Sequence, residues 1–117
     1  MTSEVGRVHS KEFNALATDF NVKEIEILKW KAGEYCDGVD RLMNFRQIAE
    51  LMDMKMSEVA LLYLMKHVQS IVLAVKENKV KWEWETEGGE GTKQRISDAR
   101  NYLMLLAACI QEEEHGK

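Results

Sequence analysis

Hydrophobic positions recur at helical spacing along most of the chain, and two stretches carry more apolar surface than one face can hold. Advancing about 100° per residue from Ile96, residues Ile96, Ala99, Leu103, Leu106 and Ile110 form one stripe. Leu105 and Cys109, flanked by Tyr102 and Ala108, form a second stripe roughly opposite. Only Lys93, Ser97, Arg100, Met104 and Gln111 are left for a water-facing strip. In the helix expected over residues 57–77, Glu58, Met65, Gln69 and Lys76 cluster outward, and almost everything else is Val, Leu, Ile, Ala or Tyr. Such coverage implies burial on several sides.

The remaining elements follow from caps and breakers. Residues 1–9 read as a loose lead-in. Ser10 before Lys11-Glu12-Phe13 predicts a capped short helix, and a longer one is expected over 22–35. Gly33 and Gly38 then loosen the backbone, and Asp40 caps a helix over 41–52. Residues 78–91 form a charged loop ending Gly88-Gly89-Glu90-Gly91, in which alternating Val80, Trp82 and Trp84 allow a brief extended piece. Thr92 caps a last helix to residue 113, and residues 114–117 are a tail. The fold class expected is all-α, a compact bundle of four to five helices forming a single domain over 10–113. One small chain cannot cover both multi-faced helices, which predicts a homodimer or homotetramer.

Composition sharpens this picture. The chain has no Pro, and 31% of its 117 residues are charged. Sixteen basic residues against twenty acidic ones leave a net charge of −4, which argues against broad nucleic-acid binding. Cys36 and Cys109 match no metal-finger spacing and read as free thiols of a reducing compartment. No apolar signal core is evident, and no run approaches ~20 consecutive apolar residues, so no membrane span is expected. The expectation is a soluble, cytoplasmic protein.

Candidate chemistry lies where polar groups turn inward. Asp98 and Asn101 sit one turn apart on the second apolar stripe of the last helix, where an unpaired carboxylate is costly. Lys66 and His67 both fall off the outward stripe of the long helix. Lys and His suit phosphate, and carboxylates suit a metal. Each also has a plain structural reading: a snorkelling lysine, a hydrogen-bonded core histidine. Glu34 and Asp37, one turn apart if the helix continues, can share a divalent cation, although an acidic helix end is also simply solvated. Asp40 is a cap that can double as a ligand. Asn44 beside Phe45 can hold the edge and face of a nucleobase. Trp82 and Trp84 read as loop packing. Residues 45–60, with Ile48-Ala49-Glu50-Leu51, a short turn and Ser57-Glu58-Val59, have the rhythm of a helix-turn-helix. The would-be recognition helix continues Leu61-Leu62-Tyr63-Leu64-Met65, too apolar to read base edges.

The order Glu34-Tyr35, Asp40-Arg41-Leu42, Asn44-Phe45, Lys66-His67, Ser70-Ile71, Asp98 and Asn101-Tyr102-Leu103 resembles small phage and prophage proteins of the MazG-like all-α nucleoside triphosphate pyrophosphatase superfamily. It is also similar to the phage nucleotide-modification-associated domains placed near that superfamily. The resemblance covers roughly residues 22–112. It implies a self-associating helical domain, Mg²⁺ on helix-borne carboxylates, and cleavage of a (deoxy)nucleoside triphosphate to monophosphate and pyrophosphate in phage nucleotide metabolism, in the host cytoplasm. It assigns metal binding to Asp98 with Glu34 and Asp37, and catalytic contact with the phosphates to Lys66, His67 and Asp98. Asp40, Asn44, Asn101 and Tyr102 would bind the nucleotide. The chain departs from the superfamily in two respects: Arg95 stands three residues before Asp98 and Gln94 four before it, and the helix bearing Lys66 and His67 has no inward acidic pair. Binding without turnover, a non-catalytic helical interaction protein and a small helix-turn-helix regulator are the alternative readings.

Overall fold

The computed structural model describes residues 6–31 and 40–116. The protein is all-α in character. Helices α1 (Ser10–Lys31), α2 (Met43–Met52), α3 (Met56–Lys76) and α4 (Thr92–His115) are joined, between α3 and α4, by a loop holding two short strands, β1 (Glu85–Thr86) and β2 (Gly89–Glu90). The chain divides into two units, Met1–Asp40 and Arg41–Lys117.

In the first unit α1 is one continuous helix, where a short helix and a longer one were expected. No Gly or Pro lies between Ser10 and Lys31 to interrupt it. Phe20 is buried, while Phe13, Val22 and Ile25 are more than half exposed.

In the second unit α3 and α4 run antiparallel. The start of α3 meets the end of α4 through Ser57 and Glu113, and the later part of α3 meets the start of α4 through Ser70 and Arg95. Helix α2 packs on α3, and the core gathers Leu42, Phe45 and Ala49 with Met56, Val59, Ala60 and Cys109. Tyr102, Leu105 and Leu106 pack against it from α4. Asp53 closes α2 in the left-handed conformation (φ 52°, ψ 51°), its N–H and that of Met54 both reaching the Ala49 carbonyl. Asp40 is not the cap of α2; Leu42 holds that position, with no side-chain cap. Glu58 does cap α3, its carboxylate accepting the Lys55 N–H at 2.9 Å.

The loop before α4 is stitched to that helix. Thr92 and Lys81 exchange hydrogen bonds, Thr92 N–H to the Lys81 carbonyl at 2.8 Å and Lys81 N–H to Thr92 Oγ1 at 3.2 Å. Gly91, not Thr92, is the cap residue. A Cβ there would lie 1.8 Å from the Glu83 carbonyl oxygen, so only glycine lets the two backbones meet. The extended piece expected at Val80–Trp84 lies instead at β1 and β2, a hairpin with Glu85 opposite Glu90. Gly89 supplies its positive φ of 132°.

Three burial expectations are corrected. Ser97, placed on the water-facing strip, is buried. Both stripes on α4 contribute to burial: Tyr102, Leu105 and Cys109 of one face the core, and of the other Leu106 packs against it and Ala99 is buried, while Leu103 and Ile110 remain about half exposed. Helix α3 buries only Met56, Ser57, Val59, Ala60 and Leu64, because α2 and α4 flank just part of its circumference. Leu61, Leu62, Met65, Val72, Leu73 and Val75 stay exposed. Helix α3, with mean hydropathy 1.4 over its richest stretch, is long and apolar enough to cross a bilayer by length and composition, a test that the core helix of a soluble protein also passes. Counting consecutive apolar residues hid this, because Ser57, Glu58, Lys66, His67, Gln69 and Ser70 interrupt the run.

Candidate functional site

The seam between α3 and α4 is where inward polar groups meet. Tyr63 and His67 stand one turn apart on α3 and both stack on Tyr102 of α4. The Tyr63 ring lies 5.8 Å from that of Tyr102 at 11°, and the His67 ring 4.8 Å away at 27°. Phe45 of α2 closes the group at a tilt, 5.8 Å from Tyr63 and 6.2 Å from Tyr102. Offset and tilted ring pairs at these spacings are each worth about 0.5–1.5 kcal/mol beyond area burial. The cluster therefore fixes the relative rotation of α3 and α4 and holds the imidazole of His67 half-buried.

Asp98 enters the same seam one turn before Tyr102. One of its oxygens accepts a hydrogen bond from Gln94 Nε2 at 3.0 Å. Its charge reaches Tyr102: burial, the neighbouring Tyr63 and the Asp98 carboxylate, in that order, raise the Tyr102 phenol above 10.0. The next step toward the start of α4 holds Arg95, whose guanidinium donates to Ser70 Oγ. Ser70 is one turn beyond His67 and Arg95 one turn before Asp98, so the two contacts form adjacent rungs between the same two helices.

At the other end of the seam α2 and α4 are tied by Arg46 and Glu112. Their bidentate pair has Nη2 to Oε1 at 2.9 Å, with the second bond from Nη1 to Oε2. Cys109 is fully buried nearby. Burial first, then Glu113 and Glu112, push its thiol upward against the opposing pull of Arg46. Burial of this kind disfavours the thiolate, the form that reacts.

His67 and Tyr102 are thus brought together, with half-buried Asp98 one turn before Tyr102 on α4. Asn101 is half-buried beside them in sequence, on α4. Lys66, expected to turn inward, is exposed; a long cationic side chain gains by placing its head in water. Asn44 is also exposed, although its neighbour Phe45 is buried. Asp40 is half-buried at the end of the first unit. Glu34 and Asp37 lie outside the described residues, as does Cys36. Among the described residues no three His, Cys, Asp or Glu side chains come together as a metal cluster. The described donors alone therefore do not build a complete Mg²⁺ site; Asp98 can supply one carboxylate.

Sequence reasoning missed Tyr63, Ser70 and Arg95 as members of the seam. The signals were present: Tyr63 and Ser70 share the inward face of His67, and Arg95 occupies the inward position one turn before Asp98. Residues 45–60 do fold as two helices around a three-residue turn, Asp53–Lys55. The exposed residues of the first turns of α3 are Glu58, Leu61, Leu62, Tyr63 and Met65, of which only Glu58 and Tyr63 carry a hydrogen-bonding group for base edges.

Compared with known proteins, the chain matches no family model, no curated protein and no solved structure.

Proposed function

We propose that this chain is a nucleotide-binding protein of MazG-like type that takes a (deoxy)nucleoside triphosphate at the α3–α4 seam. The observation that carries the reading is the stacking of His67 of α3 on Tyr102 of α4, with the half-buried carboxylate of Asp98 one turn before that ring on α4. His67 suits a phosphate oxygen, Asn101 a sugar or base edge, and the aromatic group a base face. Lys66, at the exposed rim, adds positive charge on the approach. Mg²⁺ is proposed as the ion the triphosphate brings with it. Phosphate oxygens and waters fill most of an octahedral shell, and one or two carboxylates complete it. Asp98 is the described residue suited to that role. Cleavage to monophosphate and pyrophosphate, in phage nucleotide metabolism within a bacterial cytoplasm, is the activity the resemblance adds.

The test is a panel of NTPs and dNTPs with Mg²⁺, read both for thermal stabilisation and for pyrophosphate release, with Asp98→Ala alongside. At least one nucleotide is expected to raise the unfolding temperature in the parent protein and to lose that effect in the variant. No shift with any nucleotide, or a shift that survives Asp98→Ala, removes the proposed role of this carboxylate.

A second reading, a helical interaction protein, is favoured by the apolar side chains left outside: Leu62, Met65 and Val75 on α3 and Met104 on α4 are 59–69% exposed. Patches of this kind mark contact surfaces. A homodimer or homotetramer is proposed under either reading. Sedimentation of the parent protein against Leu62→Glu tests it: one monomeric mass for both sinks the self-association proposal.

A further inference from the structure

A cavity of about 310 Å³ opens at the second rung, beyond the aromatic group. Its walls come from the last turns of α3, the hairpin loop and the first turn of α4. Five charged side chains line it: Lys79, Lys81 and Arg95 against Glu77 and Glu90. Lys79 and Glu77 pair with each other at 3.2 Å, which leaves Lys81 and Arg95 facing one carboxylate. The cavity is thus locally positive in a chain whose net charge is −4.

Arg95 is the fixed element of this wall. It is half-buried, and Ser70 holds its guanidinium through one of five donors. The remaining donors of a planar fork suit the oxygens of a phosphate. The start of α4 itself does not supply the attraction. The Thr92 and Lys93 N–H groups are already taken by the Lys81 and Glu83 carbonyls. Thr86 and Thr92 are likewise engaged, the first donating to the Gly89 carbonyl and the second accepting from Lys81 N–H. Charge recognition falls to Arg95 and Lys81.

We infer that the Arg95–Ser70 cavity is a subsite for a polyphosphate group. It rests on the nucleotide reading only for the identity of the molecule that carries that group. His67 and Ser70, and Asp98 and Arg95, are each about one helical turn apart. A base and sugar at the aromatic rung therefore send their phosphates toward Arg95, not toward Lys66. The arginine standing where the resemblance calls for an acidic metal ligand then has a function of its own: it binds the phosphate chain directly.

The experiment is calorimetric titration of the full chain with inorganic pyrophosphate, then with a dNTP, at low salt. Arg95→Gln keeps a hydrogen-bonding side chain beside Ser70 while removing the charge. Lys81→Gln removes an exposed charge without touching the core, so it reports even if Arg95→Gln is poorly folded. Pyrophosphate is expected to bind the parent chain, to bind Arg95→Gln about tenfold or more weakly, to bind Lys81→Gln several-fold more weakly, and to weaken as salt rises. Absence of pyrophosphate binding in the parent chain overturns the inference, as does affinity unchanged in both variants. The two readings fail separately. If a dNTP binds no better than pyrophosphate, the cavity stands and the nucleotide reading falls. If a dNTP binds and neither charge substitution affects it, the nucleotide reading stands and the polyphosphate subsite falls.

Discussion

Glu113, in the last turn of α4, accepts the backbone N–H of Ser57, in the first turn of α3, at 3.0 Å. A residue 56 positions away thus satisfies one of the orphan donors that every helix start leaves. Its neighbour Glu112 makes the more conspicuous bidentate pair with Arg46, but both of those side chains are 40–45% exposed.

These two carboxylates are expected to differ in weight. Glu113→Ala removes a cap and costs about 1 kcal/mol. Glu112→Ala breaks a solvent-screened pair and costs at most about 1 kcal/mol, falling further in salt. Urea denaturation of the two variants at low and high salt makes the comparison. A larger loss for Glu112→Ala would contradict it.

Gly91 and Gly88 form a sharper contrast. A methyl group at Gly91 meets the Glu83 carbonyl, whereas one at Gly88 meets nothing within 4 Å. Gly91→Ala must part the loop from α4, a clash expected to cost about 1–3 kcal/mol or more. Gly88→Ala should leave the denaturation midpoint within about 0.5 kcal/mol of the parent. Equal midpoints for both variants would show that the backbones do not approach as described.

Tyr102 links the seam to pH. Its phenol ionises above 10.0 in the folded chain, with Asp98 among the causes. As pH rises from 10, the unfolded chain loses this proton while the folded chain keeps it, so stability declines across that window until the folded phenol also ionises. Below that window the group adds no slope. Tyr102→Phe should flatten the decline. In an ultraviolet titration of the phenols, Asp98→Asn should move the Tyr102 midpoint back toward 10. A midpoint indifferent to Asp98→Asn would separate the two residues.

Cys109 offers a readout of opening. Its thiol is fully buried and pushed upward. In a Cys36→Ser background, an aromatic disulfide reagent should label the chain only as fast as it unfolds. Rapid labelling of the native protein would place this thiol at the surface.

How far the sequence carried is visible residue by residue. The ends of α2, α3 and α4 fell within about two residues of expectation, because Asp53, Gly91 and the charged loop punctuate them strongly. The two stripes of α4 were also legible from periodicity. How far each stripe is covered was not: an angular count orders residues around a helix but knows nothing of the neighbour, so Ser97, expected in water, is buried. Lys66 was turned inward by the same count and is exposed. Asp98 and His67 stand out by the cost of polar groups on apolar faces; His67 stacks on Tyr102 across the seam, and Asp98 is half-buried on α4. Arg95 was noted only as a missing carboxylate, since a substitution against a pattern shows what is lost before a cavity shows what is gained.

The Arg46–Glu112 clasp has one more consequence. It brings the beginning and the finish of the 41–117 unit side by side. A short tether from Gly116 back to Arg41, with new termini cut at Gly88-Gly89, reorders the chain without asking any helix to move. Such a permutant would carry the whole α2–α3–α4 arrangement, seam included, in an altered chain order.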